Sequence, residues 1–106
     1  MTTSRREIDQ LIEDVTVDCY NDDEERSAFV VVFGQHLEGK SAAATIVGFS
    51  TELIGVDDGG ERRGLVAQLR HSGRVHAAAL HDVELRSGTD PDLVALLQAF
   101  RHWCRQ

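Results

Sequence analysis

The apolar residues of this chain change period twice, and those two switches restrict the fold more than any composition figure. Ile8, Leu11, Ile12 and Val15 recur at helical spacing, as do Phe29, Val32, Phe33, His36 and Leu37. Between Ala44 and Leu85 the pattern becomes alternating, and Leu93, Leu96, Leu97, Phe100 and Trp103/Cys104 restore the helical stripe. A period of 3.6 aligns one face of a helix and a period of 2 aligns one face of a strand, so neither pattern substitutes for the other. The reading is an α+β domain spanning 1–106: two N-terminal helices, a β block and a C-terminal helix.

Local signals place the boundaries. Ser4 and Glu7 have capping-box spacing. The β-branched Val15-Thr16-Val17 predicts that the first helix ends in a short extended piece, with Val15 and Val17 on one side and Thr16 and Asp18 on the other. Asp22 to Glu25 repeats the start signature, predicting a second helix from about Asp23 to Glu38 with Gly39 as its stop. Val30-Val31-Val32 opposes that helix, since three β-branched residues in a row favour a strand. Asp90-Pro91 supplies an N-cap and an N1 proline for the last helix.

In the β block, Ala44–Phe49 and Glu52–Val56 read as strands separated by Ser50-Thr51. Asp57-Asp58-Gly59-Gly60 signals a hairpin, and His71-Ser72-Gly73 a second turn between Arg63–Arg70 and Arg74–Leu80. His81 to Leu85 completes a four- to five-stranded antiparallel meander, expected to curl toward a small barrel to protect its edges.

Charge is distributed very unevenly. Glu7 to Glu25 holds 9 of the 18 acidic residues and no Lys or Arg, while the rest of the chain carries 9 acids and 11 bases. The net charge of −7 therefore originates in this one segment. A pI near 5.1 and the lack of a basic stripe argue against nucleic-acid binding. No apolar stretch reaches the length of a membrane span, and MTTSRREIDQ has no signal-peptide character, so a cytoplasmic location is expected. Cys19 and Cys104 stand far apart without a CxxC motif and read as reduced, structural thiols.

Catalytic and zinc chemistry find little support. His71, His76, His81 and His102 lack zinc-ligand spacing, and two distant cysteines do not complete a site. His76 reads as a surface strand residue and His36 as a partly buried, satisfied histidine. There is no G-x-S-x-G elbow and no glycine-rich phosphate loop, so no enzyme is expected.

VTVDCYNDDEE at Val15 to Glu25, GFSTELIGVDDGGERRGLVAQLR at Gly48 to Arg70 and LHDVEL at Leu80 to Leu85 resemble, in order and spacing, the CcbP-type calcium-binding proteins. The resemblance implies Ca2+ binding without an EF-hand, through acids gathered by the fold, in a buffering or signalling protein. Calcium takes 6–8 oxygen ligands, and no EF-hand loop pattern occurs here. The turn at Asp18, Asn21, Asp22, Asp23 and Glu24 offers side-chain oxygens and free carbonyls. More oxygens must come from a second segment, either Asp57-Asp58 or Asp82 with Glu84, which lie two apart and so on one face of a strand. The alternative is a metal-independent acidic face that docks a basic protein partner.

Overall fold

A computed structural model describes residues 4–105. Helix α1 (Arg5–Val15) begins where Ser4 Oγ accepts the Glu7 amide at 3.2 Å, as the capping spacing predicts. Its end differs from expectation. Thr16 bonds back to the Ile12 carbonyl through both its amide (2.9 Å) and its hydroxyl (2.7 Å), which keeps the chain helical to its cap. A turn follows instead of an extended piece, so Val15 is buried and Val17 exposed rather than sharing a side.

Helix α2 (Asp22–Leu37) runs through the three valines unbroken, because its tertiary packing overrides their strand preference. It buries Arg26, Phe29, Phe33 and Leu37 on one face. Helix α4 (Pro91–Cys104) starts at the Asp90 cap and buries Leu93, Leu96, Leu97, Ala99 and Phe100. The two helices meet through an aromatic cluster: Phe100 lies 5.8 Å from Phe29 and 6.3 Å from Phe33, both edge-on. Such contacts add to the stabilisation from area burial alone.

Strands β1 (Ala42–Ile46), β2 (Phe49–Asp58), β3 (Leu65–His71) and β4 (Arg74–Ala79) form the antiparallel meander. Strand β5 (Val83–Leu85) returns to pair with β1, giving the order β4-β3-β2-β1-β5. The sheet thus stays open and does not close into a barrel; one of its two edges is only the three residues of β5. A short edge strand protects a sheet from unwanted pairing without closure.

Turn chemistry accounts for the other differences. The first hairpin turns at Val47-Gly48, both with positive φ (48° and 80°), so Ser50-Thr51 lie inside β2 opposite Thr45 and Ala44. Asp57-Asp58-Gly59-Gly60 does not make a tight hairpin. It leads into the single helical turn α3 (Gly60–Arg63), closed when the Gly59 amide donates to the Gly64 carbonyl at 2.8 Å. Leu80–Asp82 is a 3-10 turn rather than strand, which directs Leu80 fully into the core. Among the described residues, no helix is long and apolar enough to cross a membrane.

Candidate cation site at the opening of the second helix

The acidic turn is held mainly by its own capping bonds. Asn21, the N-cap of α2, accepts the Glu24 amide at 2.9 Å, and Glu24 Oε2 accepts the Tyr20 amide at 2.7 Å. These bonds satisfy donors that a helix start leaves free, and the four acids of the first turn complement the positive end of the helix. Asn21 and Glu24 therefore spend one oxygen each on backbone. Asp18, in a left-handed conformation (φ 62°), and Asp22 are exposed. The Cys19 thiol is raised by partial burial and then by the negative charges of Glu24, Glu25 and Asp18, so it is held protonated.

Arg26 connects this turn to the sheet. It is the buried charged side chain among the described residues, 7% exposed, one turn before Phe29 on the apolar face of α2. Its Nη2 donates to Asp23 Oδ1 at 2.5 Å, and its Nε donates to Asp58 Oδ1 at 2.7 Å. Asp58 lies at the end of β2 and also accepts the Gly60 amide at 2.8 Å. The Gly60 bond first, and the Arg26 bond second, hold the Asp58 carboxyl below its usual range. The bonds to Asp58 and Asp23 raise the guanidinium further above its already high value.

The two second segments fare differently. Asp57 accepts the Gln68 amide nitrogen at 2.5 Å on β3, and Asp58 meets the turn through Arg26. Glu84 stands opposite Thr45, which stands opposite Ser50 near the start of β2. Strand geometry of ~3.3 Å per residue separates that level from Asp58 by roughly 25 Å. Asp82 belongs to the 3-10 turn, so the alternation that would align it with Glu84 does not apply. The fold brings Asp58 to the acidic turn through Arg26, while Asp57 lies on the other face of β2 beside Gln68, and Glu84 lies toward the far end of the sheet.

Three contributors escaped the sequence reading. A cleft of ≈ 380 Å³ opens beside the turn, lined by Asp22, Glu25, Arg26, Glu61 and Trp103 among others. Glu25 Oε2 accepts the Trp103 indole N–H at 3.1 Å, which brings α4 to the site. Arg26 was visible in principle, because it continues the Phe29, Phe33, Leu37 face, and a cation there requires an acidic partner. The approach of Glu61 depends on α3, which no local signal announced.

The donor set is carboxylate and carbonyl oxygen, which suits a hard divalent ion better than a soft one. Among the described residues, no group of three or more His, Cys, Asp or Glu side chains is gathered as a metal site. Asp23 and Asp58 each give one oxygen to the Arg26 guanidinium, which stands between them. Asp18, Asp22 and Glu61 are exposed, so their side chains are free to adjust.

The sequence matches no family model and no curated protein. Two solved structures share its fold. The crystal structure of Anabaena CcbP aligns over 100% of this chain and 94% of its own, with 16% identity and a TM-score of 0.76. A calcium-binding protein in its calcium-binding form aligns over 99% and 96%, with 18% identity and a TM-score of 0.74. At these identities the likeness establishes a CcbP-like fold.

Proposed function

We propose that the chain is a cytoplasmic calcium-binding protein without an EF-hand, acting as a buffer or in signalling. The supporting observation is the meeting of Asp23 and Asp58 on one guanidinium, which joins the acidic opening of α2 to the end of β2 on a single face. Proteins of the same fold include one in a calcium-binding form. Asp18, Asp22 and Asp23 would provide the first oxygens, with Asp58 and the cleft residues Glu25 and Glu61 nearby. Calcium, when bound, would supply the positive charge that lets these carboxylates approach one another. Ligands drawn from separate exposed segments favour weak binding, on the order of 10⁻⁵–10⁻³ M.

A second reading has its own support. The acids stand exposed and ungathered, which suits a negatively charged face for a basic protein partner. Calcium titration followed through backbone amide shifts separates the two. Saturable shifts confined to 18–25 and 57–61 are expected for a site, and they should vanish in the double variant Asp18→Asn/Asp22→Asn. Small shifts spread over α1 and α2 and abolished by about 150 mM salt would favour the docking face instead.

A further inference from the structure

Arg26 stands where an ion linking the two acidic segments would have to stand. Its charge is permanent, since a guanidinium does not deprotonate in proteins. It is also withdrawn from water, so the loss of both carboxylates would leave a buried charge unpaired. Each partner commits one oxygen to it: Asp23 through Oδ1, and Asp58 through an Oδ1 that also accepts the Gly60 amide. The second oxygen of Asp58 has only a distant hydroxyl contact, Ser27 Oγ at 3.5 Å.

A divalent ion placed on the remaining oxygens would sit on the order of 6 Å from the guanidinium, close enough for strong like-charge repulsion in a partly buried setting. Using the committed oxygens instead would require the arginine to leave. Either way, the ion and the side chain oppose each other. The same bonds also neutralise part of the acidic face, and so keep α2 against β2 when no ion is bound. Two carboxylates gathered with no cation between them would repel.

We infer that Arg26 is a tethered competitor of the divalent ion: it holds Asp23 and Asp58 together in the metal-free protein and lowers the affinity of the site those carboxylates serve. The inference rests on the calcium-binding reading above, and it adds a residue that sets the strength of binding. It differs from a simple positioning role, in which the arginine would hold ligands ready and its loss would weaken binding.

The test is calcium titration of the wild type and of Arg26→Gln, measured by calorimetry and by amide shifts. Circular dichroism and a thermal melt would verify that the variant is folded. Gln keeps a hydrogen-bond donor but removes the charge, so binding about tenfold tighter is expected, together with a lower melting temperature without calcium. In the wild type, the Arg26 Nε–H resonance should move saturably with the same midpoint as the amides of 18–25. That second measurement needs no variant, and so survives a failure of Arg26→Gln to fold. Equal or weaker binding by a folded Arg26→Gln, or an Nε–H signal unmoved while the turn amides shift, overturns the competitor and leaves the calcium reading intact. Binding by neither protein overturns both. Binding by the variant alone supports the competitor in its strongest form.

Discussion

The indole N–H of Trp103 donates to Glu25 Oε2 at 3.1 Å, so the last helix of the chain reaches the acidic start of the second. The same indole packs against Phe29 (5.4 Å between ring centroids) and Phe100 (6.2 Å). One side chain thereby links the hydrophobic core to the proposed cation face. Its polar edge carries the link and its ring carries the packing.

Trp103→Phe should retain much of the ring packing and lose the hydrogen bond. The expected cost is about 1–2 kcal/mol of unfolding free energy, measured by urea denaturation. Glu25→Gln should cost less, under about 1 kcal/mol, because the amide oxygen still accepts. A larger loss for Glu25→Gln than for Trp103→Phe would contradict this division.

Asp58→Ala removes one partner of a buried guanidinium. Breaking such a pair outright costs several kcal/mol, and the 32% exposure of the Asp58 side chain reduces that to about 2 kcal/mol near neutral pH. The pH dependence has a definite sign. The native carboxyl is held below its unfolded value of about 4, so the unfolded chain binds more protons between the two values and stability rises with pH across that window. The gap between wild type and variant should be full above the unfolded value. It should shrink as the pH falls through the lower native one. Denaturant midpoints measured from pH 7 downward would show it.

Val47 is β-branched and sits at φ 48°, a region such residues rarely occupy, beside Gly48 in a two-residue hairpin turn. Val47→Asn creates the Asn-Gly pair that favours two consecutive positive φ angles. Val47 is 85% exposed, so little packing is lost. Stabilisation of about 1 kcal/mol is expected, seen as a higher melting temperature.

Gly59 has ordinary backbone angles (φ −90°, ψ 3°), so a substitution there tests space alone. A Cβ would come within 2.7 Å of Val66 Cγ2, 2.8 Å of Arg63 Cβ and 2.9 Å of the Gly64 carbonyl. Gly59→Ala should therefore destabilise by about 1–3 kcal/mol. It should also disturb the adjoining Gly60 amide that donates to Asp58.

Legibility in the sequence followed the range of each interaction. Ser4 and Asp90 act within one turn of chain and cap where their spacing predicts, while the second helix is capped by Asn21, one residue before the start signature at Asp22. Stripes such as Phe29, Phe33 and Leu37 are also local, so the buried faces were readable. The Val47-Gly48 turn was obscured because a β-branched residue occupies a position normally given to Asn or Gly. The pairing of β5 with β1, the joining of Asp23 to Asp58 and the arrival of Trp103 at Glu25 depend on residues tens of positions apart. Nothing local encodes which of two acidic segments meets the turn; strand order decides it.

Strand β4 takes its backbone partners from β3, and five of its six residues are exposed. On the other side of β3, Leu65 pairs with Asp58 of β2, in the part of the sheet braced by α2 and the arginine. Mechanical firmness is therefore graded across the molecule. The β4 hairpin can detach in a local fluctuation while the braced end remains intact, and its amide protons should trade with deuterium well before those of β2.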